Sequence, residues 1–151
     1  MDITTHVFEK AKKAKNAAVK MACIESAQKN RALRAMADAL IDNKHAVREA
    51  NEKDLAKADD YGLTGAMIDR LTLTDARIEA MANGLREIAL LPDPVGKITN
   101  MVQRPSGIRV GRMSVPVGLI GFIYESRPNV TADAAGITLK AGNAILLRGG
   151  K

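Results

Sequence analysis

Residues 117–124, Val-Gly-Leu-Ile-Gly-Phe-Ile-Tyr, form a nearly continuous apolar run that decides the fold class. Such a run is typical of a strand that is buried on both faces of a parallel sheet. A helix capped by Asn129 or Thr131 follows, and Gly142 stands just past its end, where helices often place a glycine. Residues 144–147 make a second apolar strand. Strand, helix and strand of these lengths predict a βαβ crossover with parallel strands and a right-handed connection.

The first 91 residues show the periodicity of helices. Residues 9–21 are rich in strong helix formers, and Ser26 suits the N-cap of the next helix. A further helix is expected after Asn43, ending at Gly62, and a short one follows it. Apolar residues at i, i+3, i+4 and i+7 predict two buried helical stripes. These are Leu33, Met36, Ala37, Leu40 and Ile41, and then, after an N-cap at Thr74, Ile78, Met81, Ala82, Leu85, Ile88 and Ala89. The helices between them carry Val47, Ala50 and Leu55, and Met67, Ile68 and Leu71.

Pro92-Asp93-Pro94 ends the last of these helices, and the periodicity changes at Val95. Residues 97–104 and 108–115 are short β-prone runs, and Pro105-Ser106-Gly107 between them is a turn signal. Alternation in the second run predicts one polar face. The two runs are therefore predicted to pair as a β-hairpin.

These elements predict an α/β fold in which amino-terminal helices precede the first βαβ unit of a Rossmann-like domain. Residues 1–96 and 116–151 are assigned to that domain, and 97–115 to the hairpin. A parallel sheet of two strands cannot cover its own faces. We therefore expect the chain to be a portion of a larger protein.

Composition narrows the class of protein. Hydrophobic residues make up 46 % of the 151 residues, which is ordinary for a globular domain and too high for disorder. The single cysteine, Cys23, excludes an internal disulfide framework and a multi-cysteine metal site, and it suits a reducing compartment. The polar, Lys-rich start is unlike a secretory signal, and no apolar run is long enough to span a bilayer. We expect a cytoplasmic protein.

The net charge of +6 leaves the partner open. A mildly basic surface attracts phosphate-bearing partners, so a helical module that binds nucleic acid is one reading. The scarcity of aromatic residues, 3 % of the chain, weighs against it. A cofactor-free interaction domain is another reading, and a solvated surface without a partner is the simplest.

Two loops follow the carboxyl ends of the predicted strands, at residues 124–129 and 148–151. Ligands of open α/β sheets bind beyond these ends, so both loops should face one crevice. Arg127, Arg148 and Lys151 would offer that crevice cations suited to an anionic ligand such as a nucleotide phosphate. Alternatively, these residues only end the strands and meet solvent. Neither a G-x-G-x-x-G nor a complete Walker A pattern is present.

Other chemistry-bearing residues are predicted to be structural. Cys23 lies among Met21, Ala22 and Ile24, without a cationic setting, so we expect a packing residue. His6 and His45 are isolated and are expected at the surface. No nucleophile–base pair and no metal site are predicted.

The longest distinctive strings are VPVGLIGFIYESRPNVTADAA at residues 115–135 and LKAGNAILLRGG at 139–150. They closely resemble the γ-glutamyl phosphate reductases (glutamate-5-semialdehyde dehydrogenases), the proline-biosynthesis branch of the aldehyde dehydrogenase superfamily. Residues 49–55 and 70–78 also have the look of this family. The resemblance covers most of the chain, but the chain is less than half of such an enzyme. The implied fold is therefore the amino-terminal part of an aldehyde-dehydrogenase-like enzyme.

The resemblance implies an NADP-dependent reduction of L-glutamate 5-phosphate to glutamate 5-semialdehyde. In this chemistry a cysteine thiolate displaces phosphate, and NADPH reduces the resulting thioester. The catalytic cysteine belongs to a later domain of the family, so this chain by itself is predicted to be inactive. The family resemblance also implies a homo-oligomer associated through the hairpin, and glutamate 5-kinase as the source of the substrate.

Site residues follow from the resemblance position by position. Arg148 stands where the superfamily contacts the cofactor ribose, and Lys151 stands near the place that selects the 2′ position, where a cation favours NADP. Asn129 is the candidate oxyanion donor. The implied cofactor-binding set is Tyr124, Glu125, Arg127, Asn129, Arg148, Gly149, Gly150 and Lys151.

Overall fold

The computed structural model describes residues 2–125 and 127–149. Within these ranges the chain forms six helices and four strands, and the hairpin separates five helices from the βαβ unit. The helices are α1 Ile3–Met21, α2 Ser26–Asp42, α3 Lys44–Leu55, α4 Gly65–Leu71, α5 Asp75–Leu90 and α6 Pro128–Lys140. The strands are β1 Ile98–Gln103, β2 Arg109–Met113, β3 Leu119–Ile123 and β4 Ala144–Arg148.

Helices α2, α5 and α6 pack together around the core. The two stripes predicted from the periodicity are confirmed, because Leu33, Ile78 and Leu85 are fully buried. Burying an aliphatic side chain of this size stabilises the fold by about 1.5–3 kcal/mol. The predicted N-cap of α5 is also confirmed, since the Thr74 hydroxyl accepts a hydrogen bond from the Arg77 N–H at 3.2 Å.

A glycine lets α6 lie directly against this core. A Cβ atom added at Gly136 would lie 2.6 Å from Leu85 Cδ2 and 3.1 Å from Ile88 Cδ1. These distances are shorter than carbon atoms tolerate without moving. Gly136 therefore sets how closely α6 approaches α5.

The predicted βαβ unit is confirmed, with β3 and β4 parallel and Leu119 opposite Ala144. Gly142 adopts a φ of +72° after α6, and the buried Asn143 side chain accepts a hydrogen bond from the Gly118 N–H at 2.8 Å. The prediction of strands buried on both faces is wrong, because Ile123 is 79 % exposed. Helices α1 and α6 pack on this two-stranded sheet, and two strands leave most of their remaining surface open.

Several predicted helix ends need correction. Neither Asn129 nor Thr131 caps α6: the N-cap is Arg127, with Pro128 in the first turn. Proline suits that position because its fixed φ is helical and its missing N–H has no partner there. Similarly, α2 has its N-cap at Glu25. Helix α3 ends at Leu55, and turns continue from there to Gly62, whose φ is +63°.

Two further sequence predictions fail at single residues. Ala50, expected on the buried side of α3, is exposed, whereas Asn51 is buried. Asn51 joins α3 to the end of α4, because its amide donates to the Leu71 carbonyl at 2.9 Å and its oxygen accepts from the Leu73 N–H at 2.8 Å. A polar residue is thus buried where it satisfies two backbone groups.

The predicted hairpin is confirmed, with β1 and β2 antiparallel and an irregularity between Thr99 and Val102. Every residue of both strands is exposed, so the face opposite the polar one is uncovered as well. The base of the hairpin is closed by two backbone hydrogen bonds: Gly96 N–H to the Ser114 carbonyl at 2.9 Å, and Ser114 N–H to the Lys97 carbonyl at 3.0 Å.

Buried charge ties the three core helices together. Lys29 in α2 is 2 % exposed and donates to both carboxylate oxygens of Asp93 at 3.1 and 2.9 Å. Lys140 in α6 is 4 % exposed and donates to Asn30 Oδ1 and to the Ala89 carbonyl. Burial, the largest effect, lowers the pKa of Lys140, and the charge of Lys29 adds to the lowering.

None of the helices in the described part of the chain combines the length and apolarity needed to cross a membrane.

Candidate functional site

The loops after β3 and β4 lie side by side at one edge of the sheet. The Tyr124 N–H donates to the Arg148 carbonyl at 3.1 Å. A Cβ atom added at Gly149 would come within 3.4 Å of Tyr124 Oη, so the second loop passes directly over the tyrosine. The prediction that the two loops share one crevice is therefore confirmed.

Tyr124 fixes the start of the first loop on helix α6. Its hydroxyl shares a hydrogen bond of 2.6 Å with Thr131 Oγ1, and its ring lies 5.9 Å from the Phe122 ring at an interplanar angle of 40°. Tyr124 is half-buried, although its neighbours in β3 are exposed. The tyrosine thus gives the crevice a rigid wall on an otherwise open sheet.

The crevice is formed by two adjoining cavities of about 310 and 560 Å³, which share Leu63, Tyr124, Glu125 and Arg127. Gly149 lines the first cavity, and Arg148 lines the second. Cavities of this size suit cofactors and small molecules. The structure therefore gathers most of the predicted cofactor-binding residues: Tyr124, Glu125, Arg127, Arg148 and Gly149.

Arg127 is the central cation of this region. Its nearest carboxylate is Glu125, whose Oε2 lies 3.8 Å from Nη2, and the Glu125 side chain is 80 % exposed. So long and exposed an ion pair is worth little, which leaves the guanidinium available to a ligand. Arg127 lines both cavities of the crevice and also a third cavity next to it.

This third cavity, of about 490 Å³, lies among α4, α5 and the start of α6. We call it the Arg70 cavity, after one of its lining residues. The charged and amide side chains around it are Asp69, Arg70, Arg77, Arg127, Asn129 and Asp133. Asn129 lines this cavity and not the crevice, and its amide donates to Asp133 Oδ2 at 3.2 Å. The structure thus separates Asn129 from Tyr124, Glu125, Arg148 and Gly149, although Arg127 lines the cavity with it.

Sequence reasoning did not single out Arg70 or Asp133. Both lie in helices whose charged residues are expected to meet solvent. Asp133 falls within the distinctive string 115–135 and Arg70 begins the family-like stretch 70–78, but neither pattern assigned them a role. The available signal was topological: Asp133 follows Asn129 by one helical turn, and Arg70 precedes a buried leucine near the end of α4. Gly150 and Lys151, also predicted to bind cofactor, lie outside the described residues.

Cys23 and the two histidines lie away from the crevice, in or near the amino-terminal helices. Cys23 is exposed in the turn after α1, so the prediction that it packs in a helix is wrong. The helix ends two residues earlier, at Met21, which releases the thiol into solvent. His6 and His45 are exposed, as predicted. Among residues 2–125 and 127–149, no three His, Cys, Asp or Glu side chains are grouped so as to hold a metal ion.

Sequence comparison relates the chain to one group of enzymes. It is 57 % identical over 141 residues to the γ-glutamyl phosphate reductase of Thermoanaerobacter sp. (strain X514), covering 93 % of the chain and 34 % of that protein. It is 51 % identical over 150 residues to the γ-glutamyl phosphate reductase of Clostridium novyi, covering 99 % of the chain and 36 % of that protein. The chain therefore spans about a third of the length of the curated relatives it matches. No protein-family model matches it.

Structural comparison agrees. The crystal structure of γ-glutamyl phosphate reductase from Thermotoga maritima superimposes with a TM-score of 0.90 at 41 % identity, over 95 % of this chain and 34 % of that one. The corresponding Saccharomyces cerevisiae enzyme gives a TM-score of 0.88 at 37 % identity, over 93 % of this chain and 36 % of that one. The α/β fold is thus that of the matching part of these enzymes.

Proposed function

Because the chain is related in sequence and fold to γ-glutamyl phosphate reductases over nearly its whole length, we propose that it is part of such an enzyme. The proposed reaction is the NADPH-dependent reduction of L-glutamate 5-phosphate to L-glutamate 5-semialdehyde, with release of phosphate. This is a step of proline biosynthesis, and glutamate 5-kinase is the proposed source of the acyl phosphate. We place the reaction in the cytoplasm, which suits a chain whose one thiol is free.

The observation that carries the proposal is the crevice at the carboxyl edge of β3 and β4. Arg127 and Arg148 line it, and both offer planar donors for phosphate oxygens. Gly149 lacks a side chain where the loop passes Tyr124, so a ligand can approach the backbone there. The donor set therefore fits an anionic dinucleotide.

The residues of this chain would hold and orient the cofactor. Arg148 and Gly149 would contact its ribose and phosphate groups, and Tyr124 would form the wall against which it lies. When bound, the nicotinamide cofactor supplies the hydride. Lys151, which lies beyond the described residues, is proposed to favour the 2′-phosphate of NADP. The aliphatic and aromatic lining of Leu63 and Tyr124 would limit water at this edge.

The substrate would lose phosphate to a cysteine thiolate supplied by another part of the enzyme. The thiolate sulfur bonds to the acyl carbon, the carbon–oxygen bond to phosphate breaks, and a thioester remains. Addition of hydride to that carbon, with loss of thiolate, yields the semialdehyde. Asn129 is the proposed oxyanion donor, although its amide is turned to Asp133 in this structure. Cys23 is not proposed as the nucleophile, since it lies in the turn after α1.

We also propose that the hairpin associates with another subunit. Its strands expose three apolar side chains to solvent: Ile98 is 55 % exposed, Val102 51 % and Val110 44 %. The remaining residues, outside 97–115, would form part of the cofactor domain. Pairing or packing of the hairpin against another copy would remove this apolar surface from water.

The test uses the full-length enzyme that carries this chain. With glutamate 5-semialdehyde and NADP⁺, reduction of the cofactor should require inorganic phosphate. Arg148→Ala should raise KM for NADP⁺ about tenfold, as expected for one lost charge-assisted hydrogen bond. Arg31→Ala, at an exposed position in α2, is the matched control. Absence of phosphate-dependent NADP⁺ reduction would contradict the proposal, and so would turnover by the isolated 151-residue chain.

A further inference from the structure

The Arg70 cavity adjoins the crevice through Arg70 and Arg127, which line both. A ligand that extends from the crevice past Arg127 would therefore enter the Arg70 cavity. The residues proposed to contact the cofactor, Tyr124, Arg148 and Gly149, do not line this space, although Arg127 and Asn129 do. Its volume of about 490 Å³ is sufficient for a small molecule.

Two of the charges around this cavity are already engaged with each other. Arg77 donates through Nη2 to both carboxylate oxygens of Asp69, at 3.0 and 3.2 Å. Its Nη1 donates to the backbone carbonyls of Asp69 and Thr72. Arg77 and Asp69 therefore serve to hold α4 against the start of α5, and they add no net charge to the cavity.

Arg70 and Asp133 are the charges left for a ligand. Among the residues that the structure describes, no carboxylate lies within ion-pair distance of Arg70, which is exposed near the end of α4. Asp133 is half-buried in α6 and accepts a hydrogen bond only from the neutral amide of Asn129 among the described side chains. The cavity thus offers one carboxylate, Asp133, and two cations, Arg70 and Arg127, at its junction with the crevice.

We infer that the Arg70 cavity binds the α-amino-acid end of the substrate, Arg70 receiving its α-carboxylate and Asp133 its α-ammonium group. The inference rests on the proposed function and assigns the residues that would select its substrate. L-Glutamate 5-phosphate and glutamate 5-semialdehyde carry these two opposite charges at one end and the reacting carbon at the other. With the α-groups in the cavity, the reacting end points to Arg127, where an arginine suits the acyl phosphate.

Opposite charges around one cavity distinguish this ligand from simpler ones. A free phosphate or a nucleotide phosphate would gain from Arg70 but would be repelled by Asp133. An aldehyde without the α-groups would leave both side chains without a partner, which lowers its relative affinity. The pair of residues therefore determines specificity, and neither takes part in the chemical step.

The experiment compares two aldehydes in the full-length enzyme: glutamate 5-semialdehyde, and butanal, which lacks both α-groups. Phosphate and NADP⁺ are kept saturating. Arg70→Ala and Asp133→Asn should each lower kcat/KM for the semialdehyde about tenfold or more, the size expected for a lost charged hydrogen bond. Arg70→Ala should leave kcat/KM for butanal, and KM for NADP⁺ and phosphate, within about twofold of the unmodified enzyme. Asp133→Asn should do the same, because its amide oxygen can still accept the hydrogen bond from Asn129.

Controls keep the outcomes distinct. Arg31→Ala should behave as the unmodified enzyme with both aldehydes, and Arg70→Lys should recover part of the loss. An equal loss with both aldehydes, or a rise in KM for NADP⁺ or phosphate, would overturn the inference while leaving the proposed function standing. If Arg70→Ala does not fold, Arg70→Lys and Asp133→Asn decide by the same comparison. If the unmodified enzyme does not use butanal, a variant KM for the semialdehyde that stays within twofold overturns the inference. An unmodified enzyme without semialdehyde activity refutes the proposed function itself.

Discussion

Replacing Gly136 by alanine tests how closely α6 is packed against the core. The added Cβ atom would lie 2.6 Å from Leu85 Cδ2, and Leu85 is 1 % exposed, so this methyl group would have to shift within the core. Overpacking of this kind destabilises proteins by about 1–3 kcal/mol. Alanine in place of glycine inside a helix contributes about 0.5–1 kcal/mol in the opposite direction. The net effect is therefore a loss of stability of up to about 2.5 kcal/mol.

Gly84 in α5 provides the matched control. The nearest atom to a Cβ added there is Asp133 Oδ1, at 3.9 Å, which is ordinary van der Waals contact. Gly84→Ala gains the same helix propensity without the overlap, so it should stabilise the chain by about 0.5–1 kcal/mol. Because the propensity contribution is common to both variants, the difference between them isolates the overlap at Gly136.

Thermal unfolding monitored by circular dichroism measures this difference. For a chain of about this size, 1 kcal/mol corresponds to roughly 2–4 °C in Tm, so the two variants should differ by about 2–12 °C. Leu85→Ala should also be less damaging in the Gly136→Ala background than alone, since it removes the atom that clashes. Equal Tm values for the Gly136 and Gly84 variants, or strictly additive effects with Leu85→Ala, would refute the packing argument.

Three further predictions follow from other contacts. Asn51→Ala should lower the free energy of unfolding by about 2–4 kcal/mol in urea titrations, because it leaves the Leu71 carbonyl and the Leu73 N–H without their partner. Stability should fall as the pH drops from 3.8 through the lower pKa that Asp93 has in the folded chain, and Asp93→Asn should flatten this part of the pH profile. Val110→Asp on the hairpin should shift the full-length enzyme toward smaller species in analytical ultracentrifugation, without lowering the Tm of the monomeric form.

Each of these has an outcome that contradicts it. Asn51→Asp keeps an oxygen acceptor and should cost less than the alanine variant; the reverse order would be inconsistent with the two hydrogen bonds. An unchanged sedimentation profile for Val110→Asp would contradict association through the hairpin. If stability depends on pH in the same way with and without the Asp93 carboxylate, this group does not contribute to the loss of stability in acid.

The sign of the Asp93 effect comes from its surroundings. Burial alone would raise the pKa of this carboxyl, but hydrogen bonds from Lys29 and from the Val95 N–H, with the charge of Lys29, lower it below the usual 3.8. A folded pKa below the unfolded one means that the stabilisation is present above pH 3.8 and is lost as the pH falls through the lower, folded value. The free energy of unfolding should therefore decrease as the pH falls below 3.8, and part of this decrease should come from Asp93.

Periodicity was sufficient to predict most of the fold. The stripes around Leu33 and Leu85, the hairpin and the parallel βαβ unit were all predicted, because spacing and turn residues report which faces are buried. The exposure of β3 was not predicted from the sequence. Burial of a strand requires neighbouring strands and helices on both faces, and within the ranges that the structure describes only β4, α1 and α6 cover the sheet. Helix caps failed at Asn129 for a local reason, the stronger preference of Pro128 for the first turn.

The buried charges show what single-residue reasoning misses. Ala132, Gly136 and Lys140 recur every four residues and are all buried, so the lysine lies on the apolar face of α6. Lys29 likewise precedes Leu33 by one turn on the stripe of α2. The spacing was visible in the sequence, but the partners that make burial of a cation tolerable come from distant segments. Arg70 and Asp133 were missed for the same reason, as only the fold brings them to one cavity.

The hydrogen-bonded base of the hairpin makes this segment structurally independent of the core. The hairpin segment begins at Gly96 and ends at Ser114, and a backbone hydrogen bond joins these two residues. Both ends of the segment therefore lie at one point on the surface of the domain. Its strands bury nothing against the helices, and a change of length or sequence there leaves the core geometry intact. Substitutions in the hairpin can therefore change subunit contacts without changing the crevice. The backbone hydrogen bonds between Gly96, Lys97 and Ser114 mark the boundary between the two regions.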